Sequence, residues 1–135
     1  MTEFSWPVRV YYEDTDAGGV VYYANYLKFL ERARTEMLRH FGFEQDQLID
    51  TDKIVFIVRK VTIDYLKPAF FNEQLTVTAS ITELRKVSIL FLQTILNQSN
   101  ECLCQAEILV ACVDNESLKP VLIPNHILAE LDHVN

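Results

Sequence analysis

Apolar and polar positions along this chain recur with two different periods, and the change from one to the other marks out the elements. Val8, Val10 and Tyr12 alternate with their neighbours, the period-two signature of a strand. Over residues 22–41 the period becomes helical. Tyr26, Leu30, Ala33 and Met37 share one face, Leu27, Phe29 and Leu38 widen it, and Lys28, Glu31, Arg32, Thr35, Glu36 and Arg39 fill much of the rest. Gly42, directly after Phe41, stands where a helix C-terminal glycine belongs. Strand patterns then resume. Val61, Ile63 and Tyr65 alternate with Lys60, Thr62 and Asp64, and Leu75, Val77, Ala79 and Ile81 alternate with Thr76, Thr78, Ser80 and Thr82. A short helix over residues 125–131 is expected after Pro124.

Residues 88–97 and 105–114 differ, because both alternating sets are apolar: Ile89, Phe91 and Ile95 on one face, Leu90, Leu92 and Leu96 on the other. A strand apolar on both faces is covered on both. One internal helix cannot cover the outside as well, so a second copy of the chain is the simplest cover. The order is one strand, a long helix, then four strands. It predicts an α+β fold in which a curved antiparallel sheet wraps one long central helix, as a single domain spanning residues 1–135.

Composition narrows the function. Half of the 135 residues are hydrophobic, yet no apolar run approaches the ~20 residues of a membrane span. The start, Met1-Thr2-Glu3-Phe4-Ser5-Trp6-Pro7, lacks the basic and apolar regions of a signal peptide, so a cytoplasmic protein without membrane insertion is expected. A net charge of −7 argues against a nucleic-acid surface. Cys102, Cys104 and Cys112 lack metal or redox spacing and read as small buried hydrophobes, and His40, His126 and His133 form no ligand cluster, so no metal is expected.

The candidate chemistry lies in Glu13-Asp14-Thr15-Asp16-Ala17-Gly18-Gly19-Val20-Val21-Tyr22-Tyr23. Two of the chain's three glycines stand here, between a strand and a helix. Glycine lets a ligand approach the main chain closely, and the helix start beyond presents unpaired N–H groups that favour negative charge. A carboxylate beside such donors can attack a carbonyl and stabilise the oxyanion. The same acids also suit turn capping, the expected role of Glu13 and Asp14. Two metal readings fail. The phosphatase Asp-x-Asp motif wants Thr or Val where Gly18 stands, and a calcium loop counted from Asp14 would end on Glu rather than Asn25.

The segment Val10–Tyr26, followed by Phe29-Leu30-Glu31-Arg32-Ala33-Arg34-Thr35-Glu36, closely resembles the 4-hydroxybenzoyl-CoA thioesterase family, and within it the acyl-CoA thioesterases associated with the Tol–Pal system of Gram-negative bacteria. The resemblance continues through residues 56–60, 110–114 and 118–120. It implies a hot-dog fold, hydrolysis of short-chain or aryl acyl-CoA, no metal or other cofactor, and a dimer or dimer of dimers. It carries the catalytic carboxylate onto Asp16 and the carbonyl-polarising backbone N–H onto Tyr23, where the Tol–Pal branch usually has His. It carries coenzyme contacts onto Arg85, Lys86 and Ser88 in the 83–88 turn and onto Lys119, with Val87 replacing a basic residue. Tyr22 and Tyr26 are expected to pack at the helix start and line the acyl pocket, and Glu31 to be structural. A non-catalytic module that binds acyl-CoA or acyl carrier protein stays open as the alternative.

Overall fold

In the computed structural model, which describes residues 2–134 and side chains as far as 132, the chain runs β1 (Phe4–Arg9), α1 (Asn25–His40), α2 (Gln45–Thr51), β2 (Ile54–Tyr65), β3 (Gln74–Leu84), β4 (Ser88–Leu96), β5 (Cys102–Asp114) and α3 (Asn125–Val134). Met1 and the His133 side chain, on which two of the sequence expectations partly rest, lie outside the described residues. All strand pairs are antiparallel, in the order β1-β3-β4-β5-β2. Register shifts at Val58/Lys60, Ile81/Glu83 and Ile95/Leu96 bend the sheet. This is the expected hot-dog α+β arrangement.

Tyr26, Phe29, Leu30, Ala33, Met37 and Leu38 are buried on α1, which packs against β1, β3 and β4. Opposite them, Val77, Ile81, Ile89, Phe91 and Ile95 are at most 1% exposed. The helix ends as foreseen. Gly42 adopts φ +97°, its N–H reaches Arg39 O at 3.0 Å and the Phe43 N–H reaches Leu38 O at 2.8 Å, a double closure that needs a left-handed residue at Gly42.

Several expectations require correction. The first strand stops at Arg9, and Tyr12 lies in a 3-10 turn, 80% exposed. Leu27, assigned to the apolar stripe, is 39% exposed, whereas Arg34 is 7% exposed. Helix α2 has no sequence signal, because only Leu48 of its seven residues is buried. Val61 and Tyr65, read as core-facing, are exposed because β2 is an edge strand paired only with β5. On β4 the second apolar set, Leu90, Leu92 and Leu96, is half-buried on the outer face. Cys104 and Cys112 are buried as expected, and Cys102 is partly exposed. Burial pushes the Cys104 thiol up to about 12 and that of Cys112 up to about 11.

Candidate active site

Between β1 and α1 the chain makes a tight loop in which Asp14 does most of the ordering. Its Oδ2 accepts the Tyr11 N–H at 2.8 Å. Its carbonyl accepts the Tyr22 N–H at 2.9 Å and Asn25 Nδ2 at 2.9 Å. Thr15 and Val21 bridge across the loop, and the Val21 N–H reaches Ala69 O at 2.9 Å, tying the loop to the turn before β3.

Asp16 sits at the exposed tip. Its Oδ1 accepts the Gly18 N–H at 2.8 Å, and its carbonyl accepts the Gly19 N–H at 3.0 Å. Gly19 adopts φ +82°, and a Cβ at Gly18 would lie 3.2 Å from Asp16 Oδ1. The glycine pair therefore lets the backbone close under the carboxylate. Among the described residues, Oδ2 accepts no hydrogen bond and faces solvent.

Tyr23 was expected on the first turn of the helix. Instead α1 opens at Asn25 with Ala24 as N-cap, and residues 22–24 form a turn closed by the Asn25 N–H on Tyr22 O at 2.8 Å. At the start of that turn the Tyr22 N–H is held by the Asp14 carbonyl. Among the described residues, the Tyr23 N–H donates to no group, so an open donor stands just ahead of a helix N-terminus.

The Tyr23 ring is 60% exposed and meets Tyr22 at 4.9 Å and Tyr65 edge-on at 5.9 Å. Tyr22, expected as a packing residue, is 47% exposed. Tyr26 is buried, and its Oη accepts the Ala69 N–H at 3.0 Å. Burial raises its pKa, against the lowering effect of that bond. With Val21, Tyr23, Tyr65, Leu66, Lys67 and Pro68 it lines a pocket of about 250 Å3. Tyr65 was not singled out from the sequence, where it is one more apolar residue at a strand end.

The proposed coenzyme contacts gather at the opposite end of the sheet. The Arg85 N–H donates to Ser88 O at 2.9 Å, and the guanidinium pairs with Glu83. Lys86 O accepts the Ile123 N–H at 2.8 Å, which ties the turn to the segment carrying Lys119. Arg85 and Lys86, with Leu84, Leu128, Ala129 and Asp132, line a groove of about 350 Å3 under α3. Lys119 is exposed, whereas Ser88 is 6% exposed beneath the turn. Because Arg9 pairs with Gln74 at the start of β3 and Arg85 follows its end, the Asp16 loop and the basic turn stand roughly 30 Å apart along that strand. One chain does not bring them together.

A further charged group lies along α1. Arg34 Nη1 donates to Gln93 Oε1 at 2.9 Å, and Gln93 Nε2 donates to Leu30 O at 3.0 Å and Thr78 O at 3.3 Å. Burial lowers the Arg34 pKa to about 10, against the attraction of Glu31.

Comparison with known proteins places the chain in a family. The thioesterase-like superfamily matches residues 10–131. The chain is 52% identical over 129 residues to the acyl-CoA thioester hydrolase YbgC of Escherichia coli, covering 96% of each. It is 45% identical to the acyl-CoA thioesterase YbgC of Haemophilus influenzae, covering 97% of this chain and 96% of that one. A probable thioesterase from Bartonella henselae superposes with a TM-score of 0.87 at 35% identity, over 91% of this chain and 100% of the other.

Proposed function

The chain belongs to the thioesterase-like superfamily and is an acyl-CoA thioesterase, and from that premise we propose how it works and on what. Asp16 is the catalytic carboxylate. It attacks the thioester carbonyl itself or takes a proton from the water that does, and the developing oxyanion is received by the Tyr23 backbone N–H. The carbon–sulfur bond then breaks, CoA leaves as the thiol, and water supplies the oxygen of the free acid. The observation that supports this reading is the Tyr23 N–H, which has no partner among the described residues and stands just ahead of the α1 N-terminus, in the same loop as the exposed Asp16 carboxylate. Charge developing at such a preorganised donor is worth ~10²–10³ in rate.

The acyl groups are short or aromatic, entering beside the ring cluster of Tyr23, Tyr26 and Tyr65. Arg85, Lys86 and Lys119 hold the nucleotide phosphates, with Ser88 supporting their turn from below. Since that turn and Asp16 occupy opposite ends of β3, a homo-oligomer, a dimer or dimer of dimers, supplies the two halves of each site from different copies. Val58, Val61 and Tyr65, exposed on one face of edge strand β2, Ile57, exposed on the other, and the half-exposed leucines of β4 support such assembly. Among the described residues no helix is long and apolar enough to cross a membrane. The resemblance of residues 10–26 extends the proposal to a cytoplasmic single-domain enzyme linked to the Tol–Pal system, with acyl carrier protein as a second partner.

Replacing Asp16 with Asn tests the centre. The amide keeps the Gly18 hydrogen bond but can neither attack nor accept a proton, so release of free CoA should cease while acyl-CoA still binds. Near wild-type turnover would remove Asp16 from the mechanism.

A further inference from the structure

Asp16 and Tyr23 belong to different elements joined by the 22–24 turn. Asp16 stands on a short two-stranded ribbon, in which its own N–H donates to Val20 O at 2.9 Å and the Tyr22 N–H donates to Asp14 O at 2.9 Å. Tyr23 stands at the mouth of α1. The N-cap residue there, Ala24, makes no side-chain cap, and the first turn of the helix carries no acid. A helix end without a cap frays, so the position of this one against the ribbon depends on other contacts.

The first two residues of α1 make them. Asn25 Nδ2 donates to Asp14 O at 2.9 Å, a part-buried bond to the first strand of the ribbon. Tyr26 Oη accepts the Ala69 N–H at 3.0 Å, and the Ala69 carbonyl accepts the Val21 N–H at 2.9 Å, on the second strand. Phe70 continues this second tie by pairing with Val20. Ala69 is 0% exposed and Tyr26 4%, so water does not compete for their bond. The Tyr26 ring packs against Phe29 and Tyr65, with centroids at 6.2 and 5.6 Å, which makes its hydroxyl a fixed point. Adjacent helical residues stand about 100° apart around the axis. That angle lets Asn25 and Tyr26 reach the ribbon from different sides.

We propose that Asn25 and Tyr26 are positioning residues, whose two ties fix the separation between the Asp16 carboxylate and the Tyr23 N–H. The inference rests on the reading of Asp16 and Tyr23 as the reacting pair. A backbone donor stabilises an oxyanion only when it meets it at hydrogen-bond length, and a misplacement of about 1 Å costs on the order of a hundredfold in rate. Both side chains act through the ribbon and the helix rather than on the substrate, so their loss falls on the chemical step and not on coenzyme binding.

Two variants test the ties separately. Tyr26→Phe keeps the ring and removes the acceptor, and Asn25→Ala removes the donor. Each should lower kcat about tenfold to a hundredfold, while KM and the Kd of a non-hydrolysable thioether analogue of acyl-CoA stay close to wild type. Either variant serves if the other does not fold by circular dichroism. Gln93→Leu, which weakens the core without removing either tie, should keep kcat and so separates positioning from lost stability. Wild-type kcat in both tie variants, a loss confined to KM, or an equal loss of kcat in Gln93→Leu would overturn the inference. Near wild-type turnover of Asp16→Asn would instead overturn the catalytic reading beneath it. Amide hydrogen exchange reads the second tie independently of catalysis: the Ala69 N–H should exchange faster in Tyr26→Phe, and unchanged exchange would exclude that tie whatever Asp16 does.

Discussion

Gln93→Leu isolates the one polar network inside the core. Gln93 is 0% exposed and joins three elements, accepting from Arg34 on α1 and donating to Leu30 O on α1 and Thr78 O on β3. Leucine adds apolar burial of about 1 kcal/mol but leaves the buried Arg34 without its acceptor, which costs about 3–4 kcal/mol for a charged donor. The net loss is roughly 2–3 kcal/mol. For a chain of 135 residues the unfolding entropy is about 0.3 kcal/mol per degree, so Tm should fall by about 10 °C. The double variant Arg34→Met/Gln93→Leu removes both partners, leaves no orphaned charge and should recover most of the loss. Thermal melts followed by circular dichroism, at fixed protomer concentration, give the cycle. Two single losses that simply add would refute the argument, since the network predicts a coupling of at least ~1 kcal/mol.

Other expectations test the site. Tyr23→Phe should keep most activity and Tyr23→Pro should lose ~10²–10³ in kcat with the fold intact by circular dichroism; a large loss in the Phe variant would assign the work to the phenol. Arg85→Ala/Lys86→Ala should raise KM for acyl-CoA with little change in kcat, and the salt dependence of KM should shrink, as read from initial rates at rising ionic strength. Native protein near pH 8 should show one accessible thiol, Cys102, to a thiol reagent and three in denaturant, a background to subtract when free CoA is assayed. Because the Cys104 and Cys112 pKa values are raised on folding, the unfolded chain binds fewer protons than the native one from about pH 9 to 12. Their contribution to stability is therefore complete below pH 9 and lost as pH climbs through that window, which urea melts of Cys104→Ala should flatten.

The local features were readable because adjacent residues encode them. Strand alternation over residues 75–82 predicted most of β3, Gly42 marked the helix end, and the Gly18-Gly19 pair marked a tight loop beside the candidate carboxylate. Features that depend on distant partners were not readable. Tyr23 stands ahead of α1, which opens at Asn25, in a loop closed by the Tyr22 N–H on the Asp14 carbonyl. Val61 and Tyr65 look like core residues in sequence, but the strand order puts β2 at an edge that no local pattern announces. Arg34 is tolerated inside only because Gln93, 59 residues away, supplies an acceptor. Local chemistry thus determined the elements and the candidate carboxylate. Tertiary structure alone decided which charge is buried and that the basic turn stands a full strand away from Asp16, because each of these depends on hydrogen bonds and strand pairings between residues far apart in the chain.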